Sequence, residues 1–129
     1  MIDVVVVGAG AAGVSAAVIA GSSGCRVALV DSGPGPGGQY YRGVPTGRFA
    51  EMCERLAALR VSGHVETLYG HAAYALERVG DGFRVRVRGD DRHRGDISMI
   101  DARAPSRESH RPRARAHRQR DRRASPRAC

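Results

Sequence analysis

Apolar residues along this chain change period several times, and each change marks a predicted element. Residues 3–7 contain four consecutive valines, Val4–Val7, the pattern of a parallel strand buried on both faces. After a glycine-rich turn, residues 11–22 are compatible with a helix, with Ala16, Ala17 and Ala20 favouring it. The break Gly21-Ser-Ser-Gly24 leads into a second apolar run, and residues 26–31 read as a strand ending on Asp31. Residues 32–48 hold too much Gly and Pro for a regular element and are predicted to be a loop. Residues 49–62 return to helical spacing, with Phe49, Met52, Cys53, Leu56, Leu59 and Ala57 on one side, and Gly63 as the stop. Residues 64–69 alternate and predict a third strand. Residues 72–79 and 83–88 then form an antiparallel hairpin about Gly80-Asp-Gly82. Its Phe83, Val85 and Val87 point one way, and Arg84, Arg86 and Arg88 the other, which gives one wet face. Residues 96–103 add one more strand.

The turn between the first strand and the first helix is Gly8-Ala-Gly-Ala-Ala-Gly13. A strand, this Gly-x-Gly-x-x-Gly turn and a helix together predict a seat for a dinucleotide pyrophosphate. Gly8 allows the sharp turn, Gly10 lets phosphate approach the main chain, and Gly13 lets the helix sit close to the sheet. At the helix start, around Ala11 and Ala12, free N–H groups and the helix dipole face the anion. Asp31 ends the second strand, close to the offset of about 20 residues at which an acid meets ribose hydroxyls. The alternative is a plain βαβ unit whose glycines serve packing alone. A long ordered loop in a compact domain tends to be functional, which draws attention to residues 32–48.

Composition adds limits. The chain has 129 residues, enough for one domain with a modest core. Its net charge of +8 is uneven: residues 1–100 hold 11 Arg against 10 acids, and residues 101–129 hold 10 Arg against 3. The basicity therefore says nothing about the dinucleotide unit. All 21 basic residues are arginine, which points to a GC-rich coding bias rather than to a folding requirement. Cys25, Cys53 and Cys129 are far apart and form no Cys-x-x-Cys, against a disulfide framework, a zinc site or a dithiol centre. Cys25 and Cys53 read as small, partly buried apolar residues. His64 and His71 flank a strand without a partner cluster and read as structural. No acid, base or nucleophile stands out as catalytic. The chain opens directly on a strand and has no apolar run near 18 residues, so a cytoplasmic protein without a membrane span is expected.

With Gly8–Gly13, Ala17, Asp31 and Gly37-Gly-Gln-Tyr-Tyr-Arg42, residues 2–103 resemble a known family. It is the N-terminal FAD domain of the two-dinucleotide-domain flavoproteins, the pyridine nucleotide–disulfide oxidoreductase superfamily. The stretch from Pro36 to Arg42 most resembles the large subunits of opine, cyanide-forming and related amino-acid dehydrogenases. The resemblance implies an α/β, Rossmann-like three-layer FAD/NAD(P)-binding domain: a parallel sheet with a small antiparallel β-meander. It implies FAD, with NAD(P) held by further parts of such proteins, and a flavin that oxidises an amine or amino-acid-like donor. Gly8, Gly10 and Gly13 would face the pyrophosphate. Asp31, where the family more often has Glu, would bond the adenosine ribose. Gly38 and Gln39 would lie near the flavin end, and Arg42 would reach a phosphate or the flavin region. Read from the residues alone, Gly38-Gln39 is also ordinary turn chemistry. Tyr40 and Tyr41 read as packing and hydrogen-bonding residues. Arg42 is equally a solvated surface charge.

The chain departs from this family beyond residue 103. The expected Ala-Thr-Gly segment is missing, as is the second dinucleotide domain. Residues 104–129 hold no Val, Leu, Ile, Phe, Met, Trp or Tyr and are expected to be a disordered Arg-rich tail. Translation out of frame accounts for them better than a phosphate-binding arm does. Codons exist for Glu108 to Pro112 that read Arg-Ala-Thr-Gly when moved by one base. The expected organisation is thus a partial FAD-binding domain, 1–103, followed by an out-of-frame tail. The expected function is a fragment of an FAD-dependent oxidoreductase, inactive alone and weak at best in binding FAD. Its full-length relatives would act on a small-molecule substrate and pair with a second subunit. A stand-alone dinucleotide module without catalysis is the alternative, and a basic nucleic-acid-binding protein is the least favoured.

Overall fold

The computed structural model describes residues 1–38, 44–93 and 97–103. Three strands, β1 (Val4–Val7), β2 (Val27–Asp31) and β3 (Val65–Tyr69), form a parallel sheet in the order β1-β2-β3. Helices α1 (Ala11–Ser22) and α2 (Gly47–Val61) make the crossovers. A second, antiparallel sheet holds β4 (His71–Val79), β5 (Gly82–Gly89) and β6 (Ile97–Ala102) in sequence order. Gly70, at φ +69°, is the single residue between β3 and β4, and it turns the chain from one sheet to the other.

Side-chain alternation along the strands explains the three layers. Val27 and Leu29 of β2 face the helices, where they meet Val14, Ala17 and Val18 of α1 and Phe49 and Leu56 of α2. Val30 faces the other way and is buried with Val85 and Val87 of β5, backed by Val5, Leu68, Ala73 and Ile100. The apolar run of β2 is thus buried on both faces, as a parallel strand between two layers must be. Exchanging Val30 for threonine keeps the shape but places a hydroxyl in the seam between the sheets. Such a substitution is expected to cost about 1–3 kcal/mol, read as a lower urea midpoint at unchanged m-value.

The predicted elements are all present, with shifted ends. Helix α2 starts at Gly47 rather than at residue 49, which shortens the preceding connection to 32–46. Gly47 has φ +58° and follows the extended Thr46, so the chain enters the helix through a backbone turn that apolar spacing does not report. Ala57, expected on the apolar side of this helix, is exposed, whereas Met52, Cys53 and Leu59 pack against the core. Phe83 reaches the rim of the hairpin and stays 42% exposed, while Val85 and Val87 are buried. Arg84 and Arg86 on the wet face pair with Asp101 and Glu77 at 2.7 and 2.8 Å. The tail, residues 104–129, lies outside the described residues.

Strand β1 stands at the edge of the described parallel sheet, although its four valines suit an interior position. At its start the Ile2 backbone pairs with Ala102, and the Arg103 N–H donates to the Ile2 carbonyl at 3.1 Å.

Candidate dinucleotide site

Strand β1 ends at Val7, and Gly8, at φ +99°, reverses the chain in a conformation that disfavours a side chain. The Gly8 N–H donates to the Val30 carbonyl at 2.8 Å, which fixes the turn beside the end of β2. Gly10 is the N-cap residue of α1, extended at φ −70° and ψ −177°; no side chain caps the helix and no acid lies in its first turn. The first bond of the helix runs from the Val14 N–H to the Gly10 carbonyl at 2.9 Å. The N–H groups of Ala11, Ala12 and Gly13 precede that bond, so they are the donors a helix start leaves over. Ala11 and Ala12 are exposed.

The three motif glycines serve different purposes. A Cβ on Gly13 would overlap the Gly8 carbonyl oxygen and lie 2.9 Å from its carbon, so this glycine exists for helix-to-turn contact. Among the described residues a Cβ on Gly10 would meet nothing within 4 Å, which leaves open space directly in front of the main chain. The loop after β2 forms one wall of that space. The Gly37 N–H donates to the Ala9 carbonyl at 2.8 Å. Gly38, at φ +58°, comes so near that a Cβ on it would lie 3.3 Å from Gly10 Cα.

Asp31 closes the site at the end of β2. Its Oδ2 accepts from the Ala9 N–H at 2.6 Å, and its Oδ1 accepts from the Gly33 N–H at 2.6 Å. Beyond it, a cleft of about 480 Å³ runs over the ends of β2 and β3, lined by Ser32, Pro34, Arg60, Thr67 and Tyr69, among others. The Gly70 N–H donates to the Gly33 carbonyl at 2.9 Å, which ties the loop after β2 to the end of β3.

The structure therefore brings Gly8, Gly10, Ala11, Ala12, Gly13, Asp31 and Gly38 together at one end of the parallel sheet. Gln39 and Arg42 lie outside the described residues. The bond from Ala9 to Asp31 and the approach of Gly37 and Gly38 to the turn were not anticipated. The sequence carries a signal only for the companion bond to Gly33: Asp31-Ser-Gly33 is the spacing of an Asx turn. An open, uncapped helix start bounded by a glycine wall fits a diphosphate, which needs N–H donors and no side chain in its way.

Among the described residues, Cys53, Tyr69, His64 and His71 each have a local explanation. Burial pushes the Cys53 thiol up from its ordinary value, away from a reactive thiolate. Tyr69 is also raised by burial, with Arg60 opposing the shift. His64 Nδ1 lies 3.0 Å from Ser62 Oγ, and His71 Nδ1 lies 2.8 Å from the Tyr69 carbonyl, so each ring has a local partner. Among the described residues no cluster of His, Cys, Asp and Glu could hold a metal, and no helix is long and apolar enough to cross a membrane.

Comparison with known proteins agrees with this geometry. A family model described as FAD dependent oxidoreductase matches residues 3–114. An opine oxidase subunit from Agrobacterium tumefaciens (strain Ach5) is 60% identical over 40 residues, which is 31% of this chain and 8% of that protein. The like-named opine oxidase subunit from Rhizobium meliloti (strain 1021) is 48% identical over 42 residues, 33% of this chain and 9% of that one. The chain thus spans less than a tenth of these relatives at the matched stretch. Among solved structures, Lactococcus lactis thioredoxin reductase superposes with a TM-score of 0.55 at 28% identity, covering 78% of this chain and 33% of that one. L-proline dehydrogenase from P. horikoshii gives 0.56 at 23% identity over 79% of this chain and 21% of its own. The fold is thereby the Rossmann-like FAD/NAD(P)-binding class that the sequence pointed to.

Proposed function

The chain belongs to the FAD dependent oxidoreductase family, and we propose that residues 1–103 are the part of such an enzyme that holds the ADP half of FAD. The observation that carries this reading is the open space at Gly10, in front of an uncapped helix start. Gly8, Gly10 and Gly13 shape the turn, and the N–H groups of Ala11 and Ala12 face the diphosphate. Asp31 stands where the ribose hydroxyls arrive, and the cleft over β2 and β3 takes the nucleoside. By resemblance, Gly38 and Gln39 are assigned to the flavin end and Arg42 to a phosphate or the flavin region.

Bound FAD supplies a two-electron acceptor for hydride leaving an amine or amino-acid-like donor. The residues of this chain bind and orient the dinucleotide, and none is assigned a proton or a covalent step. The matches to opine oxidase subunits support a donor of that class and a second polypeptide as partner. Residues 104–129 are assigned to an out-of-frame tail with no part in the site, and the cytoplasm is the proposed location.

Titration of the 129-residue chain with FAD, ADP and FMN tests the reading. FAD and ADP are expected to bind weakly and with similar affinity, FMN not at all, and no donor to bleach bound flavin. FMN binding as tightly as FAD, or failure of both FAD and ADP to bind, overturns it.

A further inference from the structure

Three hydrogen bonds fix the phosphate-facing turn against its surroundings, and one of them comes from a side chain. The Gly8 N–H is held by Val30 and the Ala9 carbonyl by Gly37, both through backbone. The Ala9 N–H goes to the Asp31 carboxylate, 22 residues away in sequence, at 2.6 Å. Ala9 is fully buried, so this N–H has no access to water and needs its acceptor. The second carboxylate oxygen is engaged as well, by the Gly33 N–H at 2.6 Å. One carboxylate therefore joins the turn after β1 to the loop after β2. Both of its bonds are charge-assisted and short.

The geometry points to Asp31 as a positioning residue: a strut that sets the Ala9–Gly10 backbone before any dinucleotide arrives. This goes beyond a contact with the ribose, since both carboxylate oxygens accept from the protein's own backbone. A turn held in advance does not have to be ordered on binding, and that raises affinity without adding a contact. The residue type is matched to the task. Both partners are N–H donors, so the acceptor must offer two oxygens. Asparagine offers one oxygen and turns an NH₂ group towards the other donor. Glutamate adds a methylene and carries the carboxylate past the position set by the two 2.6 Å bonds.

The strut and a pure ribose contact predict opposite results in ligand-free protein. A residue kept only for ribose leaves stability unchanged, or raises it, when it is removed. The strut makes Asp31→Asn destabilising, by roughly 5 °C or more in melting temperature. Its Ala9 amide would exchange with solvent about tenfold faster than in wild type, as expected from losing one charge-assisted bond. A second measurement needs no variant and uses the full wild-type chain. There, NMR is expected to show scalar coupling across the hydrogen bond between Ala9 N and Asp31 Cγ.

A third arm rests on the FAD reading of the preceding subsection. Asp31→Asn is expected to weaken not only FAD but also its 2′-deoxyadenosine analogue, which a pure ribose contact would leave unchanged. The strut is overturned if the coupling is absent from wild type, or if Asp31→Asn leaves melting and Ala9 exchange unchanged. It is also overturned if the variant weakens FAD but leaves the deoxy analogue untouched, since the carboxylate would then act on the ribose alone. Failure of FAD to bind at all sinks the FAD reading alone, because coupling, melting and exchange are measured without ligand.

Discussion

Gly13→Ala is expected to collapse the β1–turn–α1 unit, because the added methyl group has no room. A Cβ at this position overlaps the Gly8 carbonyl oxygen and comes within 2.9 Å of its carbon, with Val6 Cγ1 behind it at 3.5 Å. The obstacle is backbone, so no rotamer change relieves it. Moving Gly8 breaks its bond to the Val30 carbonyl, and moving α1 lifts Val14, Ala17 and Val18 from the core. Overpacking of this kind costs about 3 kcal/mol or more, against a total of roughly 5–15 kcal/mol for a domain. Circular dichroism with thermal unfolding measures it. The expected result is a melting temperature lower by about 15 °C or more, or no cooperative transition. A variant melting within a few degrees of wild type would show that α1 is not held where the structure places it.

The sequence foretold the elements of this fold because each has its own period. Four valines, a small-residue helix and an alternating hairpin are local patterns, and the layer that each face meets follows from parity along β2. What escaped was set by contacts between segments distant in the chain. The turn at Ala9 is held by Asp31, 22 residues later, and periodicity carries no trace of that bond. Gly21 looked like part of a helix-ending break. The break does end α1 at Ser22, and a Cβ on Gly21 would also lie 2.9 Å from Val65 Cγ2 and 3.2 Å from Leu59 Cδ1, so the glycine makes room for these side chains as well. The start of α2 moved to Gly47 because a positive-φ glycine began it before the apolar stripe did.

The convergence of the candidate residues was legible in the sequence, down to the separate roles of the motif glycines; the contacts between distant segments were not. Gly-x-Gly-x-x-Gly and Asp31 named the residues that converge at one end of the sheet. The three glycines take the separate roles their positions in the motif predict: Gly8 the turn, Gly10 the open space and Gly13 the close contact of the helix. Gly38 was marked for a ligand through resemblance, and the structure gives it a neighbour as well, Gly10. Two glycines facing each other produce a wall of backbone without side chains, which residue types alone do not reveal.

That division makes Gly10→Ala the counterpart of Gly13→Ala. Gly10 has ordinary backbone angles, φ −70° and ψ −177°, and among the described residues nothing lies within 4 Å of where its Cβ would go. Alanine at this position strains nothing, and loss of backbone freedom in the unfolded chain offsets what little the change costs. The melting temperature of the ligand-free variant is expected within about 2 °C of wild type, in keeping with a shift of a few tenths of a kcal/mol. Binding is another matter. The methyl group occupies the place where phosphate oxygens must come to the N–H groups of Ala11 and Ala12. Pushing a diphosphate outward by a methyl radius forfeits hydrogen bonds to a charged group, each contributing about 1.5–3 kcal/mol. FAD and ADP affinity are therefore expected to fall together by about tenfold or more for each bond lost. Calorimetric titration beside thermal unfolding measures both quantities on one sample. Loss of binding with stability kept assigns the space at Gly10 to the ligand. Unchanged binding would place the diphosphate elsewhere, and a large loss of stability would mean that the space is already filled by the protein.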